Sequence, residues 1–391
     1  MIISIDASNI REGGGVTHLR ELLGAELLRL GLQKIVIWAG TSTLAALPSR
    51  DWLVKAHHPW LDRGLLWRVA WQLFHSGAAC RQQKCALLFV PGGMYIGSFR
   101  PFIAVAQNLL PFGPEERSRY GFGFARLRLH LLEYLQCHAF RRAAGVVYMT
   151  EISRRLIEQR TGIRAKRSVV VHHGVSTKFS TEPRAARPLD RYTPEAPFRW
   201  LYVSMLYPYK HQCRVAEAAG ILLRQGLPLE LDFVGPGSTK DAQALNRMIH
   251  EYDPSGRRLR YRGRIGYEEL SAIYQRADAL IFASSCDTFG MIILEAMAAG
   301  LPVACSSLSS LPEVAGDAAF YFDPLKPGAI GAAMERFMCD PGLRADLARR
   351  GHERAKSFTW ERCASETFSF LAEVASNACQ KPQQTIHAER Y

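Results

Sequence analysis

The chain has few of the features that mark specialised classes of protein. It contains only nine cysteines in 391 residues, and of these only Cys80 and Cys85 lie close together. Their spacing does not match a zinc site, and a disulfide framework is unusual in a chain of this length. No apolar run approaches the roughly 18 residues that a membrane-spanning helix needs. We therefore expect reduced thiols and a cytoplasmic protein.

The N-terminus has no mark of a secretory signal. Residues 1–6 have no basic flank and no cleavage site, so they are predicted to form a first strand. No internal repeat or low-complexity tract is present. Hydrophobic residues make up 48% of the chain, which is typical of a globular protein, and its length suggests two domains of ordinary size.

The chain has no excess of negative charge, and its excess of positive charge lies in residues 1–180. Residues 1–180 contain 24 Lys and Arg against 11 Asp and Glu, whereas residues 181–391 contain 25 of each, so the net charge of +13 belongs to the first half. One interpretation is random scatter in a generally basic protein. The other is a face that meets anionic membrane phospholipid or a lipid pyrophosphate acceptor. No nucleic-acid motif accompanies the charge, so no nucleic-acid partner is expected.

Short apolar runs alternate with helical stretches along the chain. This alternation is typical of an α/β fold with parallel sheets and helices on both faces. Residues 181–198 contain four prolines among several charges, which predicts a linker between domains at 1–180 and 199–357. The polar tail 380–391 is expected to be frayed. The predicted strands are 1–6, 35–38, 86–90, 102–106, 145–148, 169–174, 199–204, 229–234, 259–261, 279–283 and 303–305.

The segment 286–303 is the most informative part of the chain. A predicted buried strand, 279–283, precedes it, so Asp287 is expected in a loop at the carboxyl end of that strand. Glu295 follows eight positions later on a predicted helix. Open α/β sheets bind ligands at this edge, and the free N–H groups of a helix's first turn can face a phosphate. The plainer interpretation is a buried helix with one satisfied glutamate.

This segment resembles the E-x7-E segment of retaining glycosyltransferases of the GT-B fold, specifically glycosyltransferase family 4. That family usually has Glu-x-Phe-Gly, four apolar residues and Glu-Ala-Met-Ala-x-Gly-x-Pro-Val, whereas Asp287 here replaces the first glutamate. The resemblance implies two doubly wound, Rossmann-like domains that face each other across a cleft. It further implies that Asp287 and the backbone of Phe289, Gly290 and Met291 bind the donor sugar, and that Glu295 binds the nucleotide ribose.

A second signal is the lysine that follows the predicted strand 199–204. Lys210 matches the lysine of the family's Arg-x-x-Lys-Gly, where an ammonium neutralises the diphosphate leaving group. Tyr207 and Pro208 lie near the place of the missing arginine. A solvated surface lysine is the alternative interpretation. The resemblance implies catalytic roles for Lys210 and Asp287, and further donor contacts from Ser204, Gly235, Arg264 and Ile265.

The glycines Gly13–Gly15 invite a comparison with dinucleotide-binding proteins. The third glycine of G-x-G-x-x-G is missing, and no acidic residue closes the predicted strand 35–38, so a nicotinamide cofactor is disfavoured. The resemblance instead implies that Gly14 and Gly15 line the donor phosphates, because a backbone without side chains can approach them closely.

Four polar residues of the first half are candidates for the acceptor side of the cleft. Gln107 and Asn108 stand where many family members have a histidine; their amides can hydrogen-bond a sugar hydroxyl but cannot act as a base. His18 follows the glycine loop, and His173 precedes Gly174 at a position that the family commonly places at the cleft. A structural role is the alternative for both histidines.

A long helix is predicted over 118–142, with Phe124, Leu127, Leu131 and Leu135 on one face. This face indicates either packing in the core or an interfacial helix that receives a lipid acceptor. The residues Trp67, Trp71 and Phe74, also at helical spacing, are predicted to be core, with membrane contact as the alternative.

By resemblance, the expected activity is retaining transfer of a hexose, with mannose favoured, to a saccharide or polyprenyl-linked acceptor in cell-surface polysaccharide synthesis. The resemblance also implies that a last helix, 358–379, crosses back to the first domain. No Asp-x-Asp motif is present, so we expect no obligatory metal and no cofactor. The protein could bind peripherally to the inner face of the plasma membrane. A sugar-nucleotide epimerase and an inactive nucleotide-sugar-binding protein are the alternatives.

Overall fold

The computed structural model describes residues 1–11, 13–25 and 31–379. Residues 26–30 of the predicted first helix and the tail 380–391 therefore lie outside the described residues. Two wholly parallel sheets organise the chain.

The first sheet has seven strands in the order β3-β2-β1-β4-β5-β6-β7. The order reverses between β1 and β4, which is the kind of position where open α/β sheets bind ligands. Every residue of β4, β5 and β6 is buried, as expected for parallel strands covered on both faces. The strands are β1 Ile2–Asp6, β2 Lys34–Trp38, β3 Leu53–Ala56, β4 Leu87–Val90, β5 Phe102–Ala106, β6 Gly145–Tyr148 and β7 Ser168–Val170.

Seven α-helices connect these strands. α3 and α4 are joined by a π-helical segment, and short 3-10 turns lie before α3, before α5 and after β7. The helices are α1 Gly14–Gly24, α2 Thr41–Ala45, α3 Leu65–Ala70, α4 Ser76–Gln82, α5 Pro114–Ser118, α6 Phe124–Arg142 and α7 Glu151–Thr161; the π-helical segment is Trp71–His75, and the 3-10 turns are Pro59–Leu61, Leu110–Phe112 and Thr177–Phe179.

The second sheet has six strands in the order β10-β9-β8-β11-β12-β13, and it reverses between β8 and β11. A 3-10 turn, Pro208–Lys210, follows β8 directly, and another, Leu189–Arg191, precedes it. The strands are β8 Phe198–Val203, β9 Leu229–Val234, β10 Leu259–Gly263, β11 Ala279–Phe282, β12 Val303–Ser306 and β13 Ala319–Phe322. The helices are α8 Gln212–Arg224, α9 Thr239–Tyr252, α10 Leu270–Arg276, α11 Met291–Ala298, α12 Leu311–Ala315, α13 Pro327–Cys339, α14 Pro341–Ala355 and α15 Trp360–Cys379.

The last helix returns to the first sheet. α15 packs against α1 and β4, and Arg167 donates to the Glu373 carboxylate at 2.7 Å. The backbone at Gly174 lies so close to the start of α15 that an added Cβ would be 2.3 Å from the Trp360 backbone nitrogen. α15 therefore joins the second half of the chain to the first.

Several sequence-based expectations about local structure need correction. The predicted glycine loop is partly helical, since α1 already begins at Gly14. The helix predicted over 118–142 begins later, at Phe124, because residues 119–123 leave helical geometry and Ser118 is the last residue of α5. β3 was not predicted; only its first residue, Leu53, is buried, and the strand lies at the sheet edge, where the apolar signal is weak.

Two apolar helix faces, for which packing in the core was one of two interpretations, are largely exposed. Trp71 is buried, but Trp67 and Phe74 are 42% and 71% exposed. On α6, Leu129, Cys137 and Phe140 are among the residues that pack inward. The face predicted from periodicity points outward, with Phe124 81%, Leu127 66% and Leu131 56% exposed. Within the described residues, no helix is both long and apolar enough to cross a membrane.

Candidate active site

Lys210 and Asp287 form an ion pair at the carboxyl end of the second sheet. The 3-10 turn after β8 carries Lys210, and the loop after β11 carries Asp287, so the reversal of strand order brings them together. The Lys210 ammonium lies 2.9 and 2.7 Å from the two Asp287 carboxylate oxygens. Both side chains keep some exposure, 10% and 18%. The arrangement presents a partly buried cation that a phosphate could reach.

The loop after Asp287 depends on glycine. Gly290 has a φ of +85°, and a Cβ added there would lie 2.4 Å from Leu311 Cδ2, so a side chain would be both strained and crowded. Gly290 precedes α11; the first N–H groups of a helix have no partner within it, although that of Ile293 bonds the Gly290 carbonyl at 3.0 Å. Phe289 is buried beneath the loop against the rings of His173 and Phe358, while Met291 is half-buried. The predicted donor-sugar residues therefore share one rigid turn.

Glu295 is buried in the middle of α11. The residue is 5% exposed, and its carboxylate accepts a hydrogen bond of 2.9 Å from the Tyr274 hydroxyl. Burial raises the pKa of Glu295 to about 7, although the Tyr274 hydrogen bond and the positive charge of Lys178 oppose the rise. The carboxyl group is therefore near its titration midpoint at neutral pH. Such a group can accept from, or donate to, a hydroxyl.

Residues that follow β8, β9 and β10 also lie at this edge of the second sheet. Gly235 follows β9 with a φ of +136°, and a Cβ there would lie 2.0 Å from the Ser204 carbonyl oxygen, so only glycine fits. The Ser204 hydroxyl is already engaged: it donates to the Met205 carbonyl and accepts from Gln212. Arg264 is exposed and Ile265 half-buried just beyond β10. The backbone of these residues is thus positioned near the edge, as their predicted role requires.

Comparison with known proteins finds a matching family model in this second half. Residues 191–354 match the family model of glycosyl transferases group 1. This segment is therefore similar to that family. The O-antigen chain mannosyltransferase B of Escherichia coli is 40% identical over 111 residues, covering 28% of this chain and 29% of that protein. The serotype-specific mannosyltransferase WbdA of Escherichia coli is 23% identical over 299 residues, covering 74% and 36%. The matched segments span about half or less of these relatives.

Solved structures extend the likeness to the whole fold. Sucrose-phosphate synthase from Thermosynechococcus elongatus superposes with a TM-score of 0.75 at 18% identity, covering 96% of this chain and 100% of that one. HepE of Anabaena, solved with UDP and glucose, gives 0.70 at 17% identity, covering 95% and 100%. At such identities the likeness shows the fold alone. The chain has the GT-B fold, which confirms the α/β class and the two facing Rossmann-like domains predicted from sequence.

The first half of this GT-B fold brings its glycine turn to the same cleft. Gly13, with a φ of +69°, precedes α1, and Gly14 and Gly15 form the first turn of the helix. A Cβ at Gly15 would lie 3.2 Å from Ile10 Cγ2, whereas Gly14 has open space around it. Crowding therefore favours glycine at Gly15 only. Contact of either residue with the donor phosphates stays a prediction.

The predicted acceptor-side residues separate into two groups. Gln107 and Asn108 are half-buried after β5, and the Asn108 side chain accepts from the Leu110 N–H at 3.1 Å. His18 and His173 are only 2% and 7% exposed. Burial lowers the pKa of His18 to about 4 and, together with the neighbouring His18 and His172, lowers that of His173 well below its usual range. Both rings are therefore buried, and contact of any of these four residues with an acceptor stays a prediction.

His18 and His173 lie close to Cys363, a contact that was not predicted from the sequence. One donor atom from each of His18, His173 and Cys363 lies within 4.8 Å of the others, and all three residues are buried. The His18 ring also lies 2.7 Å from the Gln107 amide. Among the described residues this is the group that could hold a metal ion. No spacing signal could have revealed it, because the residues belong to α1, the segment after β7 and α15.

The loop 287–290, which we call the donor loop, is also hydrogen-bonded to the first domain. Thr288 donates to the Gln107 carbonyl at 2.9 Å, and Thr150 donates to the Thr288 carbonyl at 3.0 Å. Sequence reasoning missed these contacts, as it missed Tyr274 beside Glu295. Local signals existed for Thr150, which caps α7 through the Ser153 N–H, but nothing in the sequence says that its hydroxyl also reaches a loop 138 residues away.

Proposed function

We propose that this protein is a glycosyltransferase that moves a hexose from a nucleotide-diphosphate sugar to a saccharide acceptor. The observation that carries the proposal is the Lys210–Asp287 pair, which lies beside the N-terminus of α11 at the carboxyl edge of the second sheet. An ammonium and free helical N–H groups stabilise negative charge on a departing diphosphate. In the absence of donor, Asp287 balances the charge of Lys210; with donor bound, its carboxylate would accept from sugar hydroxyls.

Glu295 supports the same assignment. A carboxyl group that is buried and held by Tyr274 is costly to maintain unless it serves a ligand. Accepting from ribose hydroxyls would add hydrogen bonds to the carboxylate and favour its charged form. We propose that Glu295 binds the ribose, and that Ser204, Gly235, Arg264 and Ile265 line the nucleotide.

The sugar and the stereochemistry are finer points of the proposal. The two relatives named as mannosyltransferases favour mannose as the transferred sugar and a cell-surface polysaccharide as the product. We propose that the configuration is retained by front-face attack, in which the departing diphosphate oxygen takes the proton of the acceptor hydroxyl. The role of Lys210 is then electrostatic, and no protein nucleophile is needed.

The decisive experiment offers the purified protein GDP-mannose, UDP-glucose and related donors, with short oligosaccharide and polyprenyl-linked acceptors. We expect transfer from GDP-mannose with release of GDP, detected by mass, and an α-linked product by NMR of the anomeric proton. Isomerised or hydrolysed donor without acceptor would indicate an epimerase-like activity. No turnover and no nucleotide binding would indicate an inactive binding protein.

We further propose that the first domain rests on an anionic membrane. Within residues 122–134, the large apolar side chains of Phe122, Phe124, Leu127, Leu131 and Tyr134 are each between 56% and 101% exposed, and we call this set the exposed strip. Arg126 lies against the Phe122 ring and Arg128 is exposed beside the strip. Exposed aromatic and aliphatic groups flanked by arginines are typical of interfacial helices. A polyprenyl-linked acceptor would then be met at the membrane where it resides.

A further inference from the structure

A carboxylate of the second domain caps a helix of the first. Glu313, in the first turn of α12, accepts hydrogen bonds of 2.7 and 2.8 Å from the backbone N–H groups of Glu151 and Ile152. These are the first two residues of α7, whose N–H groups have no partner inside the helix. A carboxylate at a helix N-terminus also gains from the helix dipole.

The electrostatics of Glu313 agree with a charged contact. Burial by itself would raise the pKa of its carboxyl, but the hydrogen bonds from His172 and from the two α7 amides outweigh it, so the pKa is lowered. His172 approaches the same carboxylate at 3.3 Å from the segment after β7. Three groups of the first domain therefore converge on one side chain of the second.

The segment just before Glu313 holds the donor loop. The Ser309 hydroxyl accepts from the Asp287 N–H at 2.8 Å and donates to the Asp287 carbonyl at 2.6 Å. Ser310 lies 2.8 Å from the Thr150 hydroxyl, which itself donates to the Thr288 carbonyl. Ser309 has a φ of +61°, so this turn is strained and depends on its surroundings.

We propose that Glu313 is a positioning residue that docks α12 on the N-terminus of α7 and thereby places Asp287 and Thr288 against the first domain. The proposal rests on the glycosyl transfer proposed above. Glu313 contacts neither donor nor acceptor; it acts through the Ser309–Ser310 turn. Its contribution belongs to the closed arrangement that brings donor and acceptor together, and not to nucleotide binding by the second domain alone.

The test uses the full-length protein with Glu313→Gln, Glu313→Asp and, as a matched control, Glu335→Gln on the exposed side of α13. Glutamine keeps the size but offers one acceptor oxygen to two N–H groups. We expect kcat to fall roughly 10-fold or more, because small misplacement of reacting groups is costly. The dissociation constant for the free nucleoside diphosphate should change less than about twofold. Glu313→Asp should recover part of kcat, and Glu335→Gln should match the wild type.

A second measurement does not depend on turnover. Amide hydrogen exchange at Glu151 and Ile152 should accelerate in Glu313→Gln and stay unchanged in Glu335→Gln, whether or not a donor has been identified. Accelerated exchange with unchanged kcat would overturn the positioning role and leave Glu313 a structural cap. Equal losses in kcat and nucleotide affinity would overturn it as well, and unchanged exchange would refute the contact itself. A wild type without transferase activity but with the exchange effect would refute the proposed function and not the docking.

Discussion

The two domains use opposite means to present a site. The second has balanced charge, and its predicted donor residues lie in tight turns after β8, β9, β10 and β11, with Glu295 buried at 5% exposure. The first carries the whole net charge of +13 and leaves large apolar side chains such as Phe122 and Phe124 in solvent. A small, defined ligand is recognised by rigid turns, whereas a membrane or a long glycan is met by an extended surface. The difference teaches that one half can be assayed as a binding pocket and the other as a surface.

The largest effect is expected where the donor pocket is most buried. Glu295→Gln keeps the shape but removes the charge that would accept two ribose hydroxyls. Hydrogen bonds to charged groups contribute about 1.5–3 kcal/mol, so transfer should fall roughly 100-fold. Steady-state kinetics with a thermal unfolding control would measure it. Wild-type turnover in a folded variant would remove Glu295 from the site.

Lys210→Met separates phosphate binding from base and ribose binding. Removing the ammonium should weaken binding of a nucleoside diphosphate roughly 10- to 100-fold, and binding of the bare nucleoside much less. Calorimetric titration of both ligands measures the ratio, with the exposed Lys240→Met on α9 as the control. Equal losses for both ligands would show that Lys210 does not meet the phosphates.

The surface character of the first domain is tested by replacing Arg126 and Arg128 with serine. Each arginine near an anionic surface contributes about 1 kcal/mol, so the vesicle partition coefficient should fall roughly 30-fold. Binding should also weaken as salt rises, because screening acts over about 8 Å at 0.15 M. Arg117 and Arg119 are poor choices, since they pair with Glu133 and Glu116.

Co-sedimentation with vesicles containing acidic lipid measures this effect, and activity on a short soluble acceptor serves as the control. We expect that activity to be retained. If the unmodified protein does not bind acidic vesicles, the exposed strip has another purpose and the contrast between the domains is weaker than proposed.

The smallest expected effect is a change in the free energy of unfolding with pH. The folded pKa of Glu295, about 7, exceeds the ordinary value of 4.5, so the folded state binds the proton more tightly than the unfolded state. This contribution is fully present below pH 4.5 and is lost as the pH rises through 7. Between pH 6 and 8 the loss is about 1 kcal/mol. Denaturant unfolding at several pH values should show it, and Glu295→Gln should flatten the dependence; an equally steep dependence in the variant would assign the titration to another group.

Much of the second domain could be predicted because its signals are local. Asp287, Gly290 and Glu295 are close in sequence, and β11 and the first three residues of β12 are apolar runs whose order along the chain implies a parallel sheet. By contrast, the periodicity of α6 left two interpretations of its apolar face, packing in the core or contact with a membrane. Periodicity reports that an apolar face exists and not what covers it, so only the structure shows that Phe124 and Leu131 lie in solvent.

By itself, the sequence determined the α/β class, the donor-loop motif, the lysine after β8 and the charge asymmetry, because each depends on residue types within short distances or on simple counts. Only the tertiary structure decided that His18, His173 and Cys363 share one buried site, that Tyr274 holds Glu295 and that Glu313 caps α7. The Tyr274–Glu295 and Glu151–Glu313 contacts join residues 21 and 162 positions apart, and the group of His18, His173 and Cys363 joins three separate elements of the fold. Hydrogen bonding between distant segments leaves no periodicity or spacing in the chain, since it depends on how helices and strands are arranged after folding.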